Sequence, residues 1–131
     1  MKKTELINSE ISAVVARMGH TDSLAIGDCG LPIPDGVKRI DLALVRNQPR
    51  FLDTLQAVLA ELCVERAVVA AELMEGTPEL VKEIRALLPE ATIDAVPHDQ
   101  FKKLTENTKA VIRTGECTPY ANIILCSGVK F

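Results

Sequence analysis

Gly19-His20-Thr21-Asp22-Ser23-Leu24-Ala25-Ile26-Gly27-Asp28-Cys29-Gly30-Leu31-Pro32-Ile33-Pro34-Asp35-Gly36 sets a short apolar run between two polar clusters. Leu24 to Gly27 reads as a buried strand. His20 and Asp22 precede it, and Asp28 follows it directly. The glycines and prolines beyond Asp28 fix an irregular loop rather than an element. A buried strand that hands a carboxylate to a rigid loop is how open α/β proteins build ligand sites.

Upstream, Asn8 or Ser9 caps a helix starting near Glu10. Ile11, Val14, Val15 and Met18 fall at helical spacing, and Gly19 is its expected stop. Downstream, Arg39 to Leu44 reads as an edge strand, broken by Asn47-Gln48-Pro49. Phe51 to Leu62 carries the clearest helical stripe: Phe51, Leu52, Leu55, Val58, Leu59 and Leu62. Arg66 to Ala71 is short, β-branched and unbroken, which predicts a central strand ended by Glu72. Thr77 and Pro78 open the next helix, which Pro89 ends. Thr92 to Val96 is a third strand, after which His98 or Asp99 caps a short helix through Leu104. Ala110 to Arg113 is the fourth strand. Thr114 to Pro119 is a loop, and Asn122 to Cys126 is the last strand. Helices alternating with short apolar strands, and no linker or repeat, predict an α/β single-domain layered fold over 1–131. Its central sheet is largely parallel and flanked by helices.

Composition narrows the function. The chain has 131 residues, of which 47% are hydrophobic but only 3% aromatic, with no Trp. The core is therefore aliphatic, and no aromatic platform exists for stacking bases. A net charge of −3 with scattered basic residues argues against nucleic acid as a partner. No signal-peptide core follows Met1, and no run is long enough to span a membrane. Cys29, Cys63, Cys117 and Cys126 form no Cys-x-x-Cys pair, so reduced thiols are expected. Two widely separated histidines do not suggest a metal site, and no phosphate-binding glycine pattern is present.

The strand ends carry the chemistry. Asp28, Glu72, His98, and Thr114 with Glu116 each follow a strand. In a parallel sheet they gather at its carboxyl edge, where ligands bind. His20 lies between a helix stop and a strand start, and a histidine's charge changes near neutral pH, which suits acid–base work. Asp22 reads equally as a turn former, and His98 as a helix cap. Tyr120 and Asn122 offer a hydroxyl and an amide to a polyol, although a tyrosine in such a place is often a packing residue. These residues alone indicate a small polar ligand and acid–base chemistry.

Three segments carry a more specific signal. Gly19-His20-Thr21-Asp22, Asp28-Cys29-Gly30-Leu31-Pro32-Ile33-Pro34-Asp35-Gly36 and Arg113-Thr114-Gly115-Glu116-Cys117-Thr118-Pro119-Tyr120-Ala121-Asn122 resemble the D-ribose pyranase family, which is related to the L-fucose mutarotases. The likeness covers the whole chain. One departure is Cys29, where the family pattern has Ala. The resemblance implies a cytoplasmic enzyme that interconverts pyranose and furanose forms of D-ribose without metal or organic cofactor. It implies a homo-oligomer, a decamer of two stacked pentamers, whose sites a neighbouring subunit completes. It also implies His20 as proton donor and Asp28, His98, Tyr120, Ala121 and Asn122 as sugar-binding positions, Ala121 through its backbone.

That reaction suits the residues. Opening a hemiacetal needs one group to protonate the ring oxygen and another to take the anomeric proton. The expectation is that His20 donates, Asp28 orients or charges His20, and His98 is the base or a second hydrogen-bond partner. A mutarotase for fucose or another sugar is the rival within the class. A non-catalytic sugar-binding regulatory subunit is the rival outside it, and a flavodoxin-like nucleotide binder comes third.

Overall fold

Period-two alternation sorts the strand residues between two cores. Leu24 and Ile26, Ala67 and Val69, Ala110 and Ile112, and Ile123 and Leu125 point to one face. There they meet Ile11, Phe51, Leu55, Leu73 and Ile84 from helices. Ala25, Val68, Val111 and Ile124 point to the other face and meet Phe101 and Leu31. Fully burying each such Leu, Ile or Phe is worth about 1.5–3 kcal/mol, so the aliphatic composition is sufficient for the core.

The computed structural model describes Met1–Phe131. In chain order the elements are α1 (Ser9–Arg17), β1 (Ser23–Gly27), β2 (Lys38–Asp41), α2 (Phe51–Leu59), β3 (Val64–Ala70), α3 (Ala71–Gly76), α4 (Pro78–Leu87), β4 (Thr92–Val96), α5 (His98–Leu104), a 3-10 turn (Thr105–Asn107), β5 (Ala110–Arg113) and β6 (Ile123–Ser127). The strands form one sheet in the order β2-β5-β1-β6-β3-β4. β2, β5 and β1 are mutually parallel, as are β3 and β4. β6 runs antiparallel to both β1 and β3 and joins the two groups. The α/β layering and the largely parallel sheet are as the sequence predicts.

Several local expectations need correction. Ala71–Gly76 is a helix, not the end of a strand at Glu72; Ala, Glu, Leu and Met are strong helix formers that extend the turn before Pro78. Asn8 caps α1 by accepting from the Ile11 N–H at 2.9 Å, but the helix closes at Met18 rather than at Gly19. The residue capping α5 is Pro97, so His98 lies inside the helix instead of capping it. β4 is an edge strand, with only Ile93 and Val96 half-buried. β2 stops at Asp41 and α2 at Leu59, although Leu62 still packs into the core.

The inverted β6 decides where the site lies. The carboxyl ends of β1, β3, β4 and β5 share one sheet edge with the start of β6. The starts of β1 and β3 share the opposite edge with the end of β6.

Candidate active site

At the carboxyl edge, Asp28 leaves β1 with its N–H donating to Asn122 Oδ1 at 2.7 Å. Its own Oδ1 accepts from the Gly30 N–H at 2.8 Å, which shapes the loop. Gly27 makes the approach of Asn122 feasible, because a Cβ there would overlap Leu31 and press on Asn122 Oδ1. Asn122 is fully buried. Its N–H donates to the Tyr120 carbonyl at 2.7 Å, a tight turn centred on Ala121. Tyr120 has φ 63°, a left-handed conformation rare for a bulky residue. Ala121 is itself buried, and its N–H donates to the Thr118 carbonyl at 3.3 Å.

His98 starts α5 beside the end of β3. Its N–H donates to both oxygens of the Glu72 carboxylate, at 3.0 and 3.1 Å. The imidazole stacks on Phe101 with centroids 6.2 Å apart and meets the Tyr120 ring edge-on at 5.0 Å. Asp28, His98, Glu116 and Tyr120 line a cleft of about 310 Å³, together with Cys29 and Cys117. His98 Nδ1, on a residue that lines this cleft, and Asn122 Nδ2, on the buried residue behind Asp28, have no hydrogen-bond partner. Such orphans are rare in folded proteins and point to a partner supplied from outside the chain. The bond from Asp28 fixes the Asn122 amide, so its NH₂ is the half left over.

Glu116 braces this edge. Its carboxylate accepts from Arg50 Nε at 2.8 Å, Arg50 Nη2 at 3.1 Å, the Phe51 N–H at 3.0 Å and the Thr118 hydroxyl at 2.8 Å. Burial works to raise its pKa. The hydrogen bonds from Arg50, Phe51 and Thr118 outweigh that and bring it down to about 2. The Phe51 N–H opens α2, so the carboxylate also sits against a helix N-terminus. Gly115 lies so close to the Gln48 backbone that no Cβ fits. Arg113 completes the brace by donating to the Cys29 carbonyl at 3.0 Å and pairing with Asp41 at 2.9 Å.

His20 is elsewhere. It precedes β1, on the opposite edge from Asp28. β1 has five residues and advances about 3.3 Å per residue, which puts the two on the order of 15–20 Å apart. Asp28 therefore does not orient the His20 of its own chain, and that expectation is corrected. The carboxylate that holds His20 is Glu65, whose oxygens lie 3.0 and 3.1 Å from Nε2. Thr21 follows with φ 72°, and its N–H donates to the Ser127 carbonyl at 3.0 Å. Asp22 is a turn former: it accepts from the Gly19 N–H at 2.9 Å and pairs with Lys109 at 3.3 Å. The backbone bond from Gly19, with Lys109, holds its carboxyl below the usual range.

The fold thus brings Asp28, His98, Tyr120, Ala121 and Asn122 to one edge and leaves His20 at the other. Glu65 and Arg50 were not visible as functional residues in the sequence. Each acts on a residue 45 or 66 positions away, and only the strand order brings the pairs together.

Comparison with known proteins extends this geometry. A relative from Coprothermobacter proteolyticus, named D-ribose pyranase, is 58% identical over 131 residues, covering all of both chains. One from Clostridium tetani with the same name is 57% identical over the same span. The solved structure of Bacillus subtilis RbsD complexed with D-ribose superposes with a TM-score of 0.96 at 46% identity, again over all of both chains. The model of the RbsD / FucU transport protein family matches residues 1–130. With the fold, the carboxyl-edge cleft and this full-length likeness in agreement, the chain belongs to the RbsD / FucU transport protein family.

Proposed function

We propose that the chain is a D-ribose pyranase, an isomerase that opens the six-membered ring of D-ribose and recloses it as the five-membered ring. The names of its relatives and the ribose-bound RbsD structure support this reading. The observation that carries it here is the cleft lined by Asp28, His98 and Tyr120, at which His98 Nδ1 has no hydrogen-bond partner, nor has Nδ2 of Asn122 behind Asp28. A pentose presents hydroxyls that both donate and accept.

In the forward direction the anomeric hydroxyl loses its proton as the ring oxygen gains one. The bond from the anomeric carbon to the ring oxygen breaks, and the anomeric hydroxyl oxygen becomes the carbonyl of the open aldehyde. A different hydroxyl then adds to the carbonyl, losing its proton while the carbonyl oxygen takes one up. Each transfer by a placed side chain contributes about 10²–10⁴ in rate. Asp28 and His98 accept or relay protons at the anomeric end, while Tyr120 and Asn122 hold the hydroxyls and Ala121 shapes the turn that aims them. His20, gripped by Glu65, is the proton donor.

His20 reaches the cleft from a neighbouring subunit. Its separation from Asp28 across the sheet supports that arrangement, and so do exposed apolar side chains such as Leu44 and Phe131. The assembly proposed is a decamer of two stacked pentameric rings acting in the cytoplasm. No helix is long and apolar enough to cross a membrane.

The test is proton NMR saturation transfer between the anomeric signals of ribose, with the protein and with His20→Ala. Faster pyranose–furanose exchange that vanishes in the variant supports the reading. Unchanged ribose exchange together with faster exchange of fucose would replace it with a mutarotase of another sugar. Ribose binding without faster exchange would replace it with a non-catalytic module.

A further inference from the structure

Two thiols 88 positions apart in the chain meet at the cleft. Cys29 Sγ and Cys117 Sγ are 3.9 Å apart, and both are free. Cys29 belongs to the loop that carries Asp28, and Cys117 to the loop that carries Tyr120. Both line the same cavity. The two loops are already clamped side by side, since the Cys29 N–H donates to the Glu116 carbonyl at 2.9 Å. Arg113 holds the Cys29 carbonyl at 3.0 Å, and Asn47 Oδ1 accepts the Cys117 N–H at 3.1 Å. Joining the sulfurs requires closing about 2 Å, a distance side-chain rotation covers when the backbones are neighbours. The other two cysteines have no such arrangement. Cys63 donates to the Val129 carbonyl at 3.4 Å, and Cys126 packs against the smaller core.

We propose that Cys29 and Cys117 form a modification site: a dithiol that a low-molecular-weight disulfide converts reversibly into an intramolecular disulfide bridging the two walls of the cleft. The bridged form handles sugar more slowly, a consequence that rests on the ribose reading above. Cys117 is the exposed sulfur and reacts first. Its thiolate attacks one sulfur of the small disulfide. That S–S bond breaks, and one small thiolate leaves, taking up the proton Cys117 lost. Cys29 is deeper. Burial, and then its contact with Cys117 and the charge of Asp28, push its thiol above the usual range, which suits a resolving rather than an attacking role. It attacks the Cys117 sulfur of the mixed disulfide and expels the second small thiol. Two protein thiols are oxidised by two electrons, and one small disulfide is reduced to two thiols.

The bridge acts on the site through position. It pulls together the loops that hold Asp28 and Tyr120, and a misplacement of about 1 Å in groups that hold a substrate costs on the order of 10²-fold in rate. The site also fits a reducing compartment, where disulfides are transient and regulatory rather than structural.

The experiment treats the full-length protein with oxidised glutathione and maps disulfides by peptide mass spectrometry after alkylation. Ribose exchange is followed by saturation transfer before and after, and again after dithiothreitol. Cys29→Ala and Cys117→Ser are each compared with their own reduced state. The expected result in the wild type is a Cys29–Cys117 peptide, a fall in exchange of about tenfold or more and full recovery on reduction; neither variant forms the bridge, and Cys29→Ala stops at a glutathione mixed disulfide on Cys117. Free or merely glutathionylated cysteines in the wild type, or bridges between chains only, would overturn the site. A mapped bridge with unchanged exchange would overturn its effect on the sugar. If the reduced protein does not accelerate ribose exchange at all, the ribose reading fails, while the mapped peptide still decides the dithiol.

Discussion

His20 Nε2 lies within hydrogen-bonding distance of both carboxylate oxygens of Glu65, at 3.0 and 3.1 Å. Both side chains are about half exposed in the single chain. An exposed ion pair of this kind contributes little to stability, roughly 0–1 kcal/mol. The contact fixes one ring nitrogen and leaves the other available for the proton-donor role proposed for His20. Glu65→Gln is therefore expected to lower kcat for ribose exchange by about tenfold or more, while KM and unfolding midpoint change little. An equal loss in Glu65→Gln and in a remote surface variant such as Glu79→Gln would remove Glu65 from the mechanism.

The separation of His20 from Asp28 leads to a complementation experiment. His20→Ala and Asp28→Asn are each expected to be inactive. Co-expressed, they form mixed assemblies in which some sites take Asp28 from one subunit and His20 from the other. Random pairing at equal amounts restores about one quarter of wild-type exchange if each site draws on two subunits. Sites built within one chain would show no recovery, and that result would return His20 to a role outside the cleft.

Glu116 makes stability depend on acid. Its folded pKa of about 2 lies below the ordinary 4.5, so the folded state holds this carboxylate ionised more strongly than the unfolded state does. The stabilisation is fully present above pH 4.5 and is lost as pH falls towards 2. Its size at neutral pH is on the order of 3 kcal/mol. In urea unfolding, Glu116→Gln is expected to be less stable than wild type by that amount at pH 7. The gap should shrink between pH 4.5 and 2. A constant gap across this range would mean that Glu116 acts by shape and not by charge.

Much of the fold was legible because apolar spacing is a local signal. The β-branched run through Val68 and Val69, and the stripe from Phe51 to Val58, carry their periods on the surface of the sequence. The direction of β6 was not legible, because an apolar run such as Ile123-Ile124-Leu125 fits a parallel or an antiparallel neighbour equally well. That direction brings Tyr120 and Asn122 beside Asp28. The gathering of strand-end residues was foreseeable from parallel topology alone, and Asp28, Glu72, His98 and Glu116 do meet. The pairing of Asp28 with His20 was a different kind of expectation. Closeness in sequence suggested it, and the strand between them carries the two residues apart. Glu65 left no local mark, since an acidic residue at a strand start looks like any solvated charge.

β6 follows the other five strands in sequence and lies inside the sheet, between β1 and β3. Until Ile123–Ser127 arrives, β2, β5 and β1 share no hydrogen-bonded neighbour with β3 and β4. Without β6 the strands fall into two groups, each with an unpaired edge, at β1 and at β3. Such edges invite pairing with other chains. β6 closes that gap by long-range pairing on both sides, with Asn122 immediately before it. The strand that seals the sheet also carries the acceptor for the Asp28 loop, so the integrity of the cleft is tied to the integrity of the whole sheet.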